Sequence, residues 1–340
     1  MSRINKSSTG QLTIGIDLGG TKVEAAVVDA GGRILVKRRY PTDAAQGAAA
    51  IIAAIARCVG MCLDESPEPP AAVGVGVAGQ VDAASGTVHF APNLDWHEVP
   101  LREQLERTLR LPVLVINDVR AATWGEWLHG AGKGCDDLVC VFVGTGIGGG
   151  VVSGGRLLTG ASNTAGEIGH MTVVAGGRRC HCPNRGCLEA YAGGWAMARR
   201  TRQAVRRDPK AGRTLIRLAG DVESITTRAL AEACDKADPL ACRLVEETGR
   251  YLAAGIVGIV NGYNPRLVVL GGGIIAGFPG LMPMVDEHVR AHALAAAIDN
   301  LKVLPAMLGS DAGVIGAAAV VRGRTMGDQS AIRHRYPTNR

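Results

Sequence analysis

The positions of apolar and polar residues divide the chain into short strands and longer helices. Residues 12–40 contain three apolar runs separated by a Gly-Gly-Thr turn and an Ala-Gly-Gly turn, which predicts three strands joined by two hairpins. Residues 138–158 repeat this plan with a Gly/Thr turn and a Gly-Gly turn. The repetition predicts an internal duplication, with two similar domains that face one another across a ligand-binding cleft.

Between and beyond the two repeats, helical and strand patterns alternate, which is typical of an α/β fold. Helices are predicted over 44–63, 101–109, about 194–207 and 311–321, and strands over 72–78, 113–116 and 266–270. The last helix is rich in small residues and is predicted to return to the first domain. We therefore expect a small domain formed by residues 1–118 plus about 311–340, and a large domain formed by residues 119–310.

The composition places the chain among globular proteins. Its 340 residues are 47% hydrophobic and 20% charged, which suits two domains that each bury a core. The net charge of +6 is modest, and the basic stretches at 199–217 and 322–340 lack interleaved aromatic residues, so no nucleic-acid partner is expected.

The same composition predicts a cytoplasmic protein. The first 13 residues contain no apolar leader sequence. The longest apolar run, around 252–260, is shorter than the roughly 20 residues that a membrane span needs. We therefore expect no membrane association.

Three of the nine cysteines lie close together in the chain, and a histidine precedes them. In a reducing compartment such a set of nitrogen and sulfur ligands is typical of tetrahedral zinc, here held by His170, Cys180, Cys182 and Cys187. Four protein ligands leave no open position for water, so the predicted zinc is structural. His181 is the competing ligand, but it lies between two cysteines that must turn toward the same ion.

Two carboxylates, Glu167 and Glu189, flank this cluster. Together with the cluster they predict a loop that is fixed by a metal ion and presents two acids to a ligand. In the alternative, Glu167 is a surface acid and His170 is a core histidine whose hydrogen bonds are made within the protein. The cluster would then be a knuckle that consists of cysteines only.

The two glycine turns are candidate phosphate sites. Asp17 ends the first strand, where its carboxylate would point toward a hydrated cation. The turn that follows offers backbone amides, a hydroxyl and an ammonium group to a phosphate, from Gly19, Gly20, Thr21 and Lys22. An ordinary hairpin turn is the alternative. The occurrence of a second Gly/Thr turn, at Gly144, Thr145 and Gly146, favours phosphate binding.

The second turn contains a G-x-G-x-x-G sequence at 144–149. That motif binds a dinucleotide when a helix follows it, because the pyrophosphate rests on the amino end of the helix. Here a strand pattern follows, and no G-x-x-x-x-G-K-[ST] sequence occurs in the chain. Neither a nicotinamide enzyme nor a P-loop enzyme is therefore expected.

Asn117 and Asp118 follow the predicted strand 113–116, at the carboxyl end where open α/β sheets place their ligands. An aspartate is ionised at neutral pH and can accept a proton, which makes Asp118 a candidate general base. Its alternative role is that of a turn residue after a strand.

Several segments, in this order, resemble the ROK family of bacterial sugar kinases and related repressors: IGIDLGGTK, INDVRAA, GTGIGGG, GEIGH, CHCPNRGCLE and VVLGGGI. The resemblance runs from about residue 12 to 321 and implies an actin/hexokinase/Hsp70-like fold, with two ribonuclease-H-like domains built on mixed β-sheets. The repressors of the family carry a DNA-binding helix pair before the first glycine turn. About a dozen residues precede that turn here, so a kinase is expected.

The resemblance also implies roles for residues of this chain. Asp118 would be the general base, and His170 would use one ring nitrogen for zinc and the other for the sugar. The implied sugar ligands are Gly79, Asn93, Asn117, Asp118, Glu167, His170 and Glu189. The implied nucleotide ligands are Asp17, Gly19, Gly20, Thr21, Lys22, Gly144, Thr145, Gly146, Gly271, Gly272 and Gly273.

The implied activity is the ATP-dependent phosphorylation of the 6-hydroxyl of glucose, with Mg²⁺ on the ATP phosphates and a structural Zn²⁺. The motifs leave other acceptors open, namely N-acetylmannosamine, N-acetylglucosamine, mannose and fructose, as well as polyphosphate as the donor. A sugar-sensing regulator without catalysis is a further alternative. Members of the family are commonly dimers or tetramers, so a homo-oligomer is implied.

Overall fold

The computed structural model describes residues 11–325, with the side chains of residues 11–323. The chain divides into two compact units. The first unit contains the chain up to Asp136, the segment Val152–Ala165 and the chain from Met307 onward, and the second contains Asp137–Val151 and Gly166–Ala306. The ends of the expected small domain, 1–10 and 326–340, lie outside the described residues.

Within the described residues the elements alternate as the hydrophobic pattern predicts. The strands are β1 (Thr13–Leu18), β2 (Lys22–Val28), β3 (Ile34–Pro41), β4 (Val73–Val77), β5 (Gln80–Val81), β6 (Val88–Ala91), β7 (Trp96–Val99), β8 (Val113–Asn117), β9 (Leu138–Val143), β10 (Ile147–Ser153), β11 (Arg156–Leu157), β12 (Leu267–Gly271) and β13 (Lys302–Pro305). The helices are α1 (Gly47–Leu63), α2 (Leu101–Leu109), α3 (Asp118–His129), α4 (Glu189–Ala192), α5 (Gly194–Arg207), α6 (Arg213–Ala219), α7 (Thr227–Asp235), α8 (Pro239–Tyr263), α9 (Gly273–Gly277), α10 (Leu281–His292), α11 (Ala295–Ile298) and α12 (Ala312–Thr325).

The two large sheets have the same strand order, which confirms the predicted duplication. The first sheet runs β3-β2-β1-β4-β8, with β1 to β3 antiparallel and β1, β4 and β8 parallel. The second runs β11-β10-β9-β12-β13, with β9, β12 and β13 parallel. Each sheet therefore consists of a three-strand meander followed by two parallel strands. A small antiparallel sheet, β5-β6-β7, is inserted after β4.

Helix α1 needs separate consideration, because the segment Ala44–Leu63 is long and apolar enough, by length and composition alone, to cross a membrane. The expectation that no stretch reaches that length therefore does not hold for this segment. In the structure, one side of α1 packs on β2 and β3 and buries Ile51, Ile55 and Val59 completely or nearly so. Packing in the core of the first unit accounts for these residues, whereas Met61 and Leu63 of the same helix are exposed.

The boundary between the units differs from the expected one at residue 118, since α3 belongs to the first unit. Helices α3 and α12 pack along one another. In addition, the buried carboxylate of Glu126 accepts hydrogen bonds from the backbone N–H groups of Ala131, Met307 and Leu308, at 2.9, 3.1 and 2.7 Å. These bonds fasten the end of α3 to the segment that leads into α12.

Small residues allow the close packing of α3 on α12. A Cβ atom on Gly316 would overlap the carbonyl oxygen of Ala121, and one on Gly125 would lie 2.7 Å from the carbonyl oxygen of Ala312. The two backbones are thus in direct contact, and no side chain fits between them.

Gly316→Ala is expected to lower the free energy of unfolding by about 1–3 kcal/mol, because the added methyl group forces the two helices apart. Gly323→Ala is the matched control in the same helix, where nothing lies within 4 Å of an added Cβ atom. The control should raise the free energy of unfolding by up to about 1 kcal/mol, because alanine is the better helix former. Urea unfolding measures both, and equal effects would contradict the packing described here.

Candidate active site

The first glycine turn, between β1 and β2, is supported by two segments that lie elsewhere in the sequence. Thr42 donates its backbone N–H to the carbonyl oxygen of Thr21 and its hydroxyl to that of Gly19, each at 3.0 Å. A Cβ atom on Gly20 would lie 2.6 Å from the carbonyl oxygen of Asn93, so only glycine fits there. The turn is therefore held in one conformation.

The junction of β8 and α3 brings three predicted residues together. Asn117 caps the helix, because its Oδ1 accepts a hydrogen bond from the N–H of Arg120 at 3.1 Å. Its Nδ2 donates to the carbonyl oxygen of Gly79 at 3.3 Å. Asp118 is the first residue of α3 and is partly buried, at the helix end where the dipole favours negative charge. Asn117 thus connects the backbone of Gly79 to the first turn of α3, which begins with Asp118.

Asp17, near the end of β1, is electrostatically coupled to this junction. Burial, together with the negative charges of Asp118 and Glu24, raises the pKa of its carboxyl group from 3.8 to about 6. Lys22 and Lys37 act in the opposite direction. A divalent cation bound by such carboxylates would favour their ionised forms, so these acids fit the oxygen ligands that Mg²⁺ prefers.

In the second unit, the carboxylate of Glu189 lies against the second glycine turn. Its Oε2 accepts a hydrogen bond from the N–H of Ile147 at 2.9 Å, and its Oε1 accepts one from Nε1 of Trp195 at 3.1 Å. A Cβ atom on Gly146 would overlap Oε2. Glu189 therefore requires glycine at this position of the turn.

The same turn also contacts the start of α5. The carbonyl oxygens of Gly144 and Thr145 accept hydrogen bonds from the N–H groups of Gly194 and Trp195, each at 2.9 Å. The turn and the amino end of α5 are thus joined by backbone bonds as well as by Glu189. The N–H of Gly144 closes the turn on the carbonyl oxygen of Gly146, at 2.9 Å.

The predicted metal ligands lie together in the second unit. Nδ1 of His170 is 3.7 Å from Sγ of Cys180, and the Sγ atoms of Cys182 and Cys187 are 3.6 Å apart. All four ligand atoms lie within 4.8 Å of one another. A tetrahedral zinc ion with Zn–S bonds of about 2.3 Å separates its sulfur ligands by about 3.8 Å. The arrangement therefore fits a four-coordinate ion.

Histidine 181 has a different environment. Its ring stacks on the indole of Trp195, with centroids 4.1 Å apart and planes at 25°. Of the two histidines, His170 is the one grouped with the cysteines. Because Nδ1 of His170 faces the cysteines, Nε2 lies on the far side of an exposed ring, and the preceding Glu167 is exposed as well.

The third glycine run follows β12 at the carboxyl end of a parallel strand. Gly272 has a φ of 91°, which turns the chain into the short helix α9. Gly273 has open space where its side chain would be. Backbone without side chains is therefore exposed at the sheet edge where α/β proteins bind ligands.

Two residues that hold these elements were not predicted. Thr42 supports the first turn and Trp195 binds the carboxylate of Glu189. Neither role has a local sequence signal, because each depends on a partner in another element. The one available hint was that Trp195 is among only four tryptophans and directly follows a glycine pair.

A model of the ROK family matches residues 13–324 of the chain. The chain is 37% identical to the glucokinase of Streptomyces coelicolor, over 92% of this chain and 98% of that protein. It is 30% identical to the N-acetylglucosamine repressor of Escherichia coli, over 91% of this chain and 75% of the repressor.

A solved structure shows the same family relationship. The ROK family glucokinase of Streptomyces griseus, solved in complex with glucose and AMPPNP, is 38% identical and aligns with a TM-score of 0.80. The alignment covers 91% of this chain and 98% of that one. The similarity thus extends over both units.

The pKa of Asp17 leads to a prediction about stability. Because the folded state binds this proton more tightly than the unfolded chain, the contribution of Asp17 to the unfolding free energy falls as the pH rises from about 4 to about 6 and stays lost above that. Asp17→Asn removes the buried charge. The variant should therefore be more stable at pH 7.5, on the order of 2 kcal/mol, and the difference should shrink toward pH 4.

Urea unfolding at pH 4.5, 6 and 7.5 measures this difference. Asp299→Asn is the control, since it removes the same charge from an exposed position and should change stability by less than about 0.5 kcal/mol. A less stable Asp17→Asn variant at pH 7.5 would contradict the electrostatic description.

Proposed function

The chain belongs to the ROK family, and from that premise we propose that it is an ATP-dependent glucokinase with Asp118 as its general base. The observation that supports this most is its similarity, over nearly the full length of both chains, to glucokinases of two Streptomyces species. One of them holds glucose and an ATP analogue in its solved structure.

In the proposed reaction, the 6-hydroxyl oxygen of glucose bonds to the γ-phosphorus of ATP, the bond from that phosphorus to the bridging oxygen breaks, and ADP leaves. The carboxylate of Asp118 accepts the hydroxyl proton. A positioned base of this kind contributes about 10²- to 10⁴-fold to the rate. Alignment and neutralisation of charge supply the rest, because phosphoryl transfer needs little covalent chemistry from the protein.

The position of Asp118 suits this role. The cap formed by Asn117 fixes the first turn of α3, and with it the backbone of Asp118. Asn117 uses both ends of its amide group within the protein, although Nδ2 retains a second hydrogen for a sugar hydroxyl. We propose that Asn117 acts mainly by positioning Asp118 and that its contact with the sugar is secondary.

For the nucleotide, we propose that the amides of the two glycine turns bind phosphate oxygens and that the run 271–273 lies against the adenosine. Asp17 would hold the Mg²⁺ that accompanies ATP, and this ion would shield the charge of the phosphates. The support is the fixed shape of both turns and the proximity of Asp17 to Asp118, which the pKa of Asp17 reflects.

For the sugar, we propose Glu167, His170 and Glu189 as ligands in the second unit. Glu189 already accepts two hydrogen bonds within the protein, so its geometry is fixed before the sugar arrives. His170 would use Nε2, since Nδ1 faces the cysteines. We propose that His170 and the three cysteines hold a structural zinc ion, which orients this loop and takes no part in the chemistry.

Asp118→Asn should lower kcat by about 10²- to 10⁴-fold, because the variant loses the proton acceptor, while the dissociation constant for glucose changes far less. A coupled assay of ADP production and a calorimetric titration with glucose measure the two effects. Asp299→Asn serves as the control and should retain full activity. A fully active Asp118→Asn variant would refute the assignment of the base.

The same assay, run over a panel of sugars with ATP and polyphosphate in parallel, tests the proposed substrates. Glucose with ATP should give the highest kcat/KM. If N-acetylglucosamine, N-acetylmannosamine, mannose or fructose is phosphorylated faster than glucose, that sugar replaces glucose as the proposed acceptor. No turnover of any sugar, together with tight sugar binding, would favour a regulator related to the N-acetylglucosamine repressor.

The zinc proposal predicts one zinc ion per chain in purified protein. Cys182→Ser should lower this content and raise the KM for glucose. Binding of structural zinc contributes about 10 kcal/mol of free energy to the folding of the loop that holds it. Elemental analysis and steady-state kinetics measure both.

Two pairs of variants make this test specific. Cys242→Ser, outside the cluster, should keep the zinc. His170→Ala should lose it, whereas His181→Ala should keep it, because the ring of His181 stacks on Trp195. Active wild-type protein without zinc would end the proposal.

A further inference from the structure

The second unit contains a groove of about 760 Å³ that the proposed reaction does not use. It is formed by Arg178, Arg179 and Arg185 next to the cysteine cluster, by one side of α5 and by the beginning of α8. Its volume lies in the range of small-molecule sites. Seven arginines and a single acid, Glu247, line it, so the net charge of the lining, +6, equals that of the whole chain.

Three of these arginines already have hydrogen-bond partners: Arg178, Arg200 and Arg185, whose Nε donates to the carbonyl oxygen of Gly177 at 3.1 Å. Arg178 donates to Oε1 of Glu247 at 3.0 Å and stacks on the ring of Tyr191, with Cζ 4.4 Å from the centroid. Arg200 donates from Nη2 to the hydroxyl of Thr248 at 3.1 Å, and its Nη1 lies 3.4 Å from Oε1 of Glu247. One carboxylate oxygen is thus shared by two guanidinium groups.

The remaining charge of the groove is uncompensated. Arg179, Arg199, Arg207 and Arg243 are exposed, and no acidic group of residues 11–323 forms an ion pair with them. Deeper in the groove, Nε and Nη1 of Arg200 have no hydrogen-bond partner among the described residues, and burial lowers the pKa of this arginine. Like charges that line one groove repel one another, and functional sites are where folds tolerate such costs.

We propose that this groove binds a small anion that carries two or more phosphate groups. The planar guanidinium group binds phosphate oxygens in pairs, so a single phosphate cannot occupy four unpaired arginines. The phosphates can come from a linear polyphosphate or from a sugar bisphosphate, since both present the same oxygens.

The groove adjoins the residues proposed above to bind sugar. Trp195 lines it, and its indole Nε1 donates to Glu189 at 3.1 Å. An anion bound beside Trp195 therefore alters the environment of this indole and the position of Glu189. The binding claim is independent of the proposed kinase activity, whereas an effect on the KM for glucose rests on it.

Calorimetric titration of the full chain with tripolyphosphate tests the proposal. Glucose and AMPPNP are present at saturation, so that the nucleotide site does not take up the probe. We expect one tripolyphosphate per chain and quenching or enhancement of tryptophan fluorescence. The double variant Arg199→Gln/Arg243→Gln should bind at least tenfold more weakly, whereas Arg217→Gln, an exposed helical arginine outside the groove, should bind as the wild type does.

Parallel titrations identify the source of the phosphates. Preference for tripolyphosphate indicates a linear polyphosphate, and preference for fructose 1,6-bisphosphate indicates a sugar bisphosphate. Glucose 6-phosphate, with one phosphate, should bind at least tenfold more weakly than either. An unchanged affinity in the double variant, or tighter binding of a DNA duplex than of tripolyphosphate, would overturn the proposal, whatever the kinase assay shows.

Discussion

The arrangement of the second unit depends on one carboxylate. Glu189 accepts hydrogen bonds from the backbone of Ile147 and from the indole of Trp195, and it occupies the space that a side chain on Gly146 would need. It comes two residues after Cys187, the last of the proposed metal ligands. The glycine turn, the cysteine loop and the start of α5 are therefore not independent. Moving any one of them requires breaking a partly buried, charge-assisted hydrogen bond, which is among the stronger polar contacts in proteins.

In the first unit, whose sheet has the same strand order, the glycine turn is supported in a different way than in the second unit. There, Thr42 binds two carbonyl oxygens of the turn and the backbone of Asn93 packs against Gly20. The strand order of the two sheets is the same, but the supports come from segments that have no counterpart in the other half. The shared topology thus provides two similar turns, and the insertions specialise them. The small sheet β5-β6-β7 carries Asn93, and the cysteine loop leads to Glu189.

Local patterns were sufficient to predict most of the fold. Helix 101–109 and helix 194–207 have the predicted bounds, because short-range periodicity and glycine or proline punctuation define them. The duplicated meanders were also predictable, since each is a chain of local hairpins. The assignment of α3 to the first unit was not, because it depends on Glu126 binding a segment about 180 residues away. The grouping of His170 with the cysteines follows from spacing, but the partners of Asn117 and Trp195 do not.

The acids of the first unit show how stability and function can oppose each other. Asp17 and Asp118 lie close enough for their charges to repel, and burial together with this repulsion raises the pKa of Asp17 to about 6. A fold selected for stability alone would place asparagine at one of these positions, as it does at Asn117, where a neutral amide caps the helix without electrostatic cost. Two acids are useful where one must remain free to accept a proton while the other holds a cation. In the proposed reaction, a metal ion brought by the nucleotide would offset this electrostatic cost, because a cation favours the ionised form of both acids. The same reasoning applies to the arginine-lined groove of the second unit, where an excess of one charge destabilises the free protein and the proposed anion would relieve it.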